Sequence, residues 1–232
     1  MVKDYPEMSL TDARVLLLEA TEHLIAAYPE ELCKATRNLL ERKNVEVLTN
    51  TKLVNYDGQK VILGDGTQIP AHTLIWTAGV RAAEVLDHLG VEQAGSRRVR
   101  VEPSLQVPEH PEVFVIGDAA YLENGNGRPL PMLSTVALQQ GKLTAENIKR
   151  MLKGQTPAPF HYKDPGLLAT IGRNAAVARI WGVSFSGFIA WVIWVFLHIY
   201  RLIGFRNRVL VMLNWAWDYV FYENQVRLIT KE

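Results

Sequence analysis

Between Trp181 and Tyr200 the sequence contains no Asp, Glu, Lys or Arg. A chain must cover such a stretch with protein or with lipid. At about 20 residues it reaches the length that crosses the hydrocarbon core of a bilayer. Arg201, Arg206 and Arg208 follow it, Gly204 interrupts it, and an apolar pattern resumes from Val209 to Tyr222. The helix expected from Gly187 to Tyr200 has three seatings: across a membrane, along its surface, or inside a protein core. Trp191, Trp194, Trp215 and Trp217 suit a headgroup region, and the arginines supply a basic edge, so the surface seating is favoured. His198 lies within the apolar run and reads as a locally satisfied structural residue rather than a ligand.

The rest of the chain has the grammar of an α/β protein. Ala13 to Ala20 reads as a short buried strand preceded by the turn-like Ser9 to Asp12. A helix follows over Tyr28 to Lys43, and a second strand begins at Val45 to Leu48, which predicts parallel pairing. Tyr56-Asp57-Gly58 and Gly64-Asp65-Gly66 mark two hairpin turns, hence a small antiparallel excursion. The pattern then predicts a strand at Thr73 to Trp76 and a helix from Arg81 to Leu89. Strand-like Val99 to Val101 and Ser104 to Val107 lead to the apolar run Val113 to Ile116, which ends in Gly117-Asp118. Ser134 is placed to cap a helix running through Leu152, Gly154 stops it, and Phe160 to Ile180 reads as strands with turns. Formal net charge is +1, so nothing in the overall field points to nucleic acid. The single cysteine, Cys33, excludes an internal disulfide and reads as a small buried hydrophobe. Met1 to Pro6 has neither the basic start nor the apolar core of a signal peptide, so export is not expected.

Three features carry chemistry. Glu19 closes the first strand, where a carboxylate can accept hydrogen bonds from an adenosine ribose. The glycine-rich turn that usually accompanies such an acid is not found in residues 1–12. Asp118 follows an apolar strand, where a carboxylate can hold a sugar-alcohol hydroxyl, and Gly117 lets backbone come close to a phosphate. The segment Ser134-Thr135-Val136-Ala137-Leu138-Gln139-Gln140-Gly141 opens a helix whose free amides and dipole suit an anion. Each feature also has an ordinary reading: a solvated strand end, a plain Gly-Asp turn, a capped surface helix with two solvated amides.

Taken in order, Glu19, Trp76-Thr77-Ala78-Gly79-Val80, Val113 to Asp118 and Ala137-Leu138-Gln139-Gln140-Gly141 resemble the type II NADH dehydrogenases, members of the two-dinucleotide-binding-domain flavoproteins. The resemblance implies two-electron transfer from NADH through FAD to a membrane quinone, with no metal. It implies FAD contacts at Gly117, Asp118, Ser134, Thr135, Val136 and Ala137, and NADH contacts at Glu19, Thr77, Ala78 and Gly79. Gln139 and Gln140 would stand on the flavin and quinone side. Ser134-Thr135 depart from the family's Ala-Gln at that point.

The fold class expected is α/β: partial Rossmann-like dinucleotide-binding domains, with a parallel sheet and a small antiparallel excursion, then a C-terminal helical membrane-association region. The division by role is 1–98 for the second half of the NADH domain, 99–155 for the returning part of the FAD domain, and 156–232 for strands and membrane-binding helices. Since neither glycine-rich turn is present, the chain is expected to be a C-terminal portion that is inactive by itself. The expected location is peripheral and monotopic, on the cytoplasmic face of the cell membrane. Partners would be quinone and the lipid surface, with a homodimer as one arrangement and no nucleic acid. The alternatives are a sulfide:quinone or ferredoxin reductase-like enzyme, or an inactive membrane-attached remnant. The lone cysteine argues against sulfur chemistry.

Overall fold

The structure, a computed structural model, describes residues 14–221. The turn expected at Ser9 to Asp12, the start of the first strand at Ala13, and Tyr222 lie outside the described residues. The chain divides into two compact units: one joins the residues up to Leu74 with those from Gly166 onward, and the other is Ile75–Pro165. The division by role expected at 98/99 and 155/156 is a different partition from this one.

The first unit opens with the expected βαβ pattern. Strand β1 (Val15–Leu18) pairs in parallel with β2 (Val45–Leu48), Val15 opposite Val45 and Leu18 opposite Leu48. Helix α1 (Glu30–Glu41) connects them. It buries Leu32, Cys33 and Thr36, one face at helical spacing, while Glu30–Lys34 and Arg37–Glu41 form exposed i,i+4 pairs on the other side. Contrary to expectation, β1 is not a buried strand. Its sheet has two strands among the described residues, so the apolar side chains are covered only in part, and Val15 is exposed. The antiparallel excursion is present as β3 (Leu53–Tyr56), β4 (Lys60–Leu63) and β5 (Gln68–Pro70). Asp57 and Asp65 hold its turns by accepting the amides of Gln59, Lys60 and Thr67, each at 2.9 Å.

The second unit differs from its sequence pattern at the start. Thr73 to Trp76 form no strand, and Ile75 and Trp76 are exposed. An apolar run becomes a strand only where a neighbour offers a hydrogen-bond ladder, and no described strand does so here. The helix expected at Arg81 is a shorter 3-10 turn, Glu84–Leu89, that buries none of its side chains and ends at Gly90. With only Leu86 packed in part against the core, the segment lacks the continuous apolar face that stabilises a longer helix. Next come β6 (Gln93–Ala94), β7 (Arg98–Arg100), β8 (Gln106–Val107), β9 (His110–Phe114) and β10 (Ala120–Tyr121). β7 is central, antiparallel to β6 and parallel to β10, while β8 and β9 form a hairpin.

Helix α2 (Ser134–Met151) lies against this layer, with Val136 in a core that includes Val99, Leu105, Val115 and Ala120. Asn147 is wholly buried in α2. Its Nδ2 donates to the Ser104 and Ala158 carbonyls at 3.2 and 2.9 Å, and its Oδ1 accepts the Ala158 amide at 2.7 Å. Asn147→Ala leaves three backbone groups unpaired at once, and an expected loss of about 2 to 3 kcal/mol should appear as a lower urea midpoint.

The chain then returns to the first unit. β11 (Leu167–Gly172), β12 (Ala175–Ile180) and β13 (Val183–Ser186) form an antiparallel meander with β12 in the centre. Strand structure begins at Leu167 rather than Phe160. Helix α3 (Gly187–Arg201) packs on this sheet where Ala176 and Ala178 meet Ala190, all three fully buried, because small side chains let the helix come close. α1 also contacts β12, and the Lys43 ammonium donates to the Arg173 carbonyl at 3.1 Å, tying the two ends of the sequence together.

The uncharged run is therefore divided into a turn, a strand and a helix. At 15 residues, α3 is about 22 Å long against a hydrocarbon core of about 30 Å. Among the described residues no helix is long and apolar enough to cross a membrane. Gly204 separates α3 from α4 (Phe205–Phe221), as expected, and α4 buries none of its residues.

Candidate functional site

The sequence after β9 runs extended through Val115 and Ile116, then turns at Gly117 into a short 3-10 turn, Gly117–Ala119. Gly117 has φ +66°, and a side chain there would put its Cβ 3.3 Å from that of Ala137 on α2. Glycine is needed at this position for both conformation and space. The Gly117 amide donates to Gln140 Oε1 at 2.6 Å, and Gln140 is only 1% exposed. This buried hydrogen bond clasps the Gly-Asp turn to α2. Asp118, the next residue, is exposed, and among the described residues no hydrogen bond or ion pair holds its carboxylate.

The beginning of α2 differs from expectation in one respect. Leu133, not Ser134, is the N-cap, and no side chain caps the helix. Leu133 is extended and its carbonyl accepts the amides of Val136 and Ala137, at 3.0 and 3.1 Å, so Ser134 falls inside the first turn. The amides of Ser134 and Thr135 then have no intrahelical acceptor, and the helix offers them together with the positive end of its dipole. The Thr135 hydroxyl is paired with that of Tyr162 at 2.9 Å. The two glutamines have different surroundings. Gln140 is an internal clasp, whereas the half-buried Gln139 forms a two-way pair with the Lys163 backbone, donating to its carbonyl at 2.9 Å and accepting its amide at 3.0 Å.

Gly117, Asp118, Ser134 to Ala137, Gln139 and Gln140 are thus brought together within the second unit. Thr77, Ala78 and Gly79 belong to the same unit and are exposed; Gly79 has φ +99° and open space around it. Glu19 belongs to the first unit, at the carboxyl end of β1. Its Oε1 accepts both the amide and the hydroxyl of Thr21 at 2.8 Å, which orients the carboxylate. Cys33 is buried, and burial pushes its thiol pKa up, away from the reactive thiolate. Among the described residues no cluster of three His, Cys, Asp or Glu could hold a metal.

Two side chains carry no mark in the sequence: Tyr162, against the first turn of α2, and Arg98, beside the Gly-Asp turn. Arg98 is buried and donates to the Ala120 and Leu130 carbonyls. In the sequence it stands in the run Arg97-Arg98-Val99-Arg100, which looks like an ordinary basic surface, so no local signal marked it.

Among the described residues the glycine turn thus presents a carboxylate without a hydrogen-bonded partner, a group that can accept from hydroxyls, and the first turn of α2 presents amides that can donate to an anion. A family model described as pyridine nucleotide-disulphide oxidoreductase matches residues 7–141, and one described as the NDH2 C-terminal domain matches residues 165–222. The chain belongs to the pyridine nucleotide-disulphide oxidoreductases, in their type II NADH dehydrogenase branch.

Its similarity to curated members extends over most of its length. It is 36% identical over 217 residues to the type II NADH:quinone oxidoreductase Ndh of Mycobacterium tuberculosis, covering 89% of this chain and 46% of that protein. It is 31% identical over 228 residues to the mitochondrial internal alternative NAD(P)H-ubiquinone oxidoreductase A1 of Arabidopsis thaliana, covering 90% of this chain and 44% of that protein. The chain therefore spans about half the length of the curated relatives it matches. A solved structure of NDH2 from Plasmodium falciparum in complex with NADH shares the fold, with a TM-score of 0.86 at 13% identity, over 97% of this chain and 62% of that one.

Proposed function

We propose that this chain supplies the flavin-side and membrane-side parts of an enzyme that passes two electrons from NADH through FAD to a membrane quinone. The observation that carries the reading is the exposed Asp118, without a hydrogen-bonded partner among the described residues, on a turn that Gln140 clasps to the start of α2. Bound FAD supplies the two-electron relay between nicotinamide and quinone. Asp118 accepts hydrogen bonds from the flavin's sugar alcohol, and the glycine at 117 allows the backbone its approach. Residues Ser134 to Ala137 contribute to the flavin site through backbone, since Val136's side chain is core; the amides of Ser134 and Thr135 are the donors that stabilise negative charge. Gln139 stands on the quinone side and must exchange its Lys163 partner for a quinone oxygen if it contacts one. Thr77, Ala78 and Gly79 give open backbone for NADH, and Glu19 accepts from its ribose.

The division at 98/99 and 155/156 separates these roles. Residues 1–98 hold the NADH contacts, 99–155 the flavin turn and α2, and 156–232 the attachment region. Attachment rests on α3, α4 and the turn between them, where Phe188, Ile189, Val192, Phe196, Ile203, Phe205, Leu213 and Trp217 are exposed, with Arg201 and Arg206 exposed beside them. An apolar surface of this extent with a basic edge suits the cytoplasmic face of a membrane.

The test uses the chain completed to the length of its relatives, purified and assayed for NADH-driven quinone reduction. The expected result is yellow protein that reduces quinone with NADH and not with sulfide. Asp118→Ala should lose most of its flavin while remaining folded. Colourless protein, or flavin that NADH does not reduce, would refute the reading.

A further inference from the structure

The Gly117–Ala119 turn is gripped at both ends. Gln140 takes the Gly117 amide at its start. Just past its end, the Ala120 carbonyl accepts from Arg98 Nε at 2.9 Å and from Nη2 at 2.6 Å, and Nη2 also donates to the Leu130 carbonyl at 3.0 Å. Arg98 is only 6% exposed, and its guanidinium lies 5.5 Å from the centre of the Tyr121 ring. Its neighbours behave otherwise: Arg97 pairs with Asp87 at 2.8 Å and Arg100 with Glu92 at 2.6 Å, both at the surface. Among the described residues Arg98 has no ion pair, and the hydrogen bonds of its buried guanidinium go to carbonyl oxygens.

Burial lowers its pKa, while the negative field of Asp118 acts the other way. Methionine would fill the same space with no charge to desolvate, so a mere plug needs no guanidinium. What the guanidinium adds is a rigid fork that binds two carbonyls from separate segments, which a lysine ammonium does less well.

We propose that Arg98 is a positioning residue of the flavin site: by clamping the Ala120 and Leu130 carbonyls it fixes the turn that presents Asp118, and through Asp118 it sets how tightly flavin is held. The flavin part rests on the function proposed above; the positioning part does not.

The experiment compares Arg98→Met, Arg98→Lys, Asp118→Ala and the Arg98→Met/Asp118→Ala double variant in the completed protein. Without flavin, amide hydrogen exchange over Gly117 to Tyr121 is expected to quicken about tenfold in Arg98→Met, with Arg98→Lys in between. Titration with FAD is expected to show about tenfold weaker binding in Arg98→Met, and a double variant no weaker than Asp118→Ala alone. Exchange in Arg98→Met equal to the parent, a quickening spread evenly over the chain, or flavin losses that add in full would each overturn the proposal. If Arg98→Met does not fold, Arg98→Lys is judged by the same criteria. If the parent does not bind FAD, the flavin reading falls, and exchange alone decides whether Arg98 positions the turn.

Discussion

Gly117→Val is expected to destabilise the second unit by about 3 kcal/mol and to abolish the flavin binding proposed above, in the protein extended to the length of its relatives. Two independent effects add. A left-handed backbone costs an L-residue about 1 to 2 kcal/mol, and more when it is β-branched. Gly117 holds φ +66°. The new Cβ would stand 3.3 Å from that of Ala137, with two further methyl groups beyond it, so α2 or the turn must yield at an overpacking cost of about 1 to 3 kcal/mol. Either movement lengthens the Gly117–Gln140 hydrogen bond, now 2.6 Å, and shifts Asp118 with it.

Gly117→Ala keeps the conformational strain but adds a single methyl, so it should fall between the parent and Gly117→Val. Gly125 is the control: its φ is not left-handed and a Cβ there meets nothing within 4 Å, so Gly125→Val should be nearly silent. Urea unfolding and flavin content measure the two consequences separately. Full flavin content in Gly117→Val would show that the turn does not hold the cofactor.

Gly166→Ala is expected to have the larger effect on stability, about 4 kcal/mol, and to act on the proposed attachment region instead. Gly166 has φ +106°, and its added Cβ would overlap the Arg179 carbonyl oxygen and lie 3.2 Å from Ile180 Cα. Both obstacles are backbone of the neighbouring strand β12, so no side chain can swing aside. The entry of β11 must separate from β12, a combination of strain and lost pairing at the upper end of what one substitution does. Since α3 packs on this same sheet through Ala190 against Ala176 and Ala178, the expected result is loss of liposome binding at the temperature at which the sheet opens. A Gly166→Ala protein with the parent's unfolding midpoint would mean that the close approach of the two strands is not maintained in solution.

Local pattern made much of this molecule legible. The βαβ unit, the two hairpin turns at Asp57 and Asp65, the length of α2, and the break at Gly204 all depend on neighbours a few residues apart, where periodicity and turn chemistry act. The Gly-Asp turn was legible for the same reason. The readings that failed were decided by conformation or by partners that residue type alone does not specify. Thr73 to Trp76 have strand composition but, among the described residues, no ladder to join. Ser134 has the chemistry of a cap, yet the extended Leu133 determines where the helix begins. The 20 uncharged residues reach a spanning length while their aromatic and basic flanks favour a surface seating, and Gly182 and the pairing of β13 with β12 take the first of them into a sheet and leave α3 too short to cross.

The same distinction separates the two glutamines and the three arginines. Residue types at given spacings determined the α/β pattern, the glycine at 117, the acid at 118, the amide-rich opening of α2 and an apolar tail with a basic edge. They also carried the resemblance that placed the chain in its family. Tertiary structure alone decided that Gln140 turns inward to the Gly117 amide while Gln139 faces the Lys163 backbone. It also decided that Arg98, alone in its basic run, is buried against carbonyls 22 and 32 residues away. The physical reason is that a spacing determines which face of an element a side chain occupies, whereas burial and hydrogen bonding depend on what the rest of the chain brings to that face.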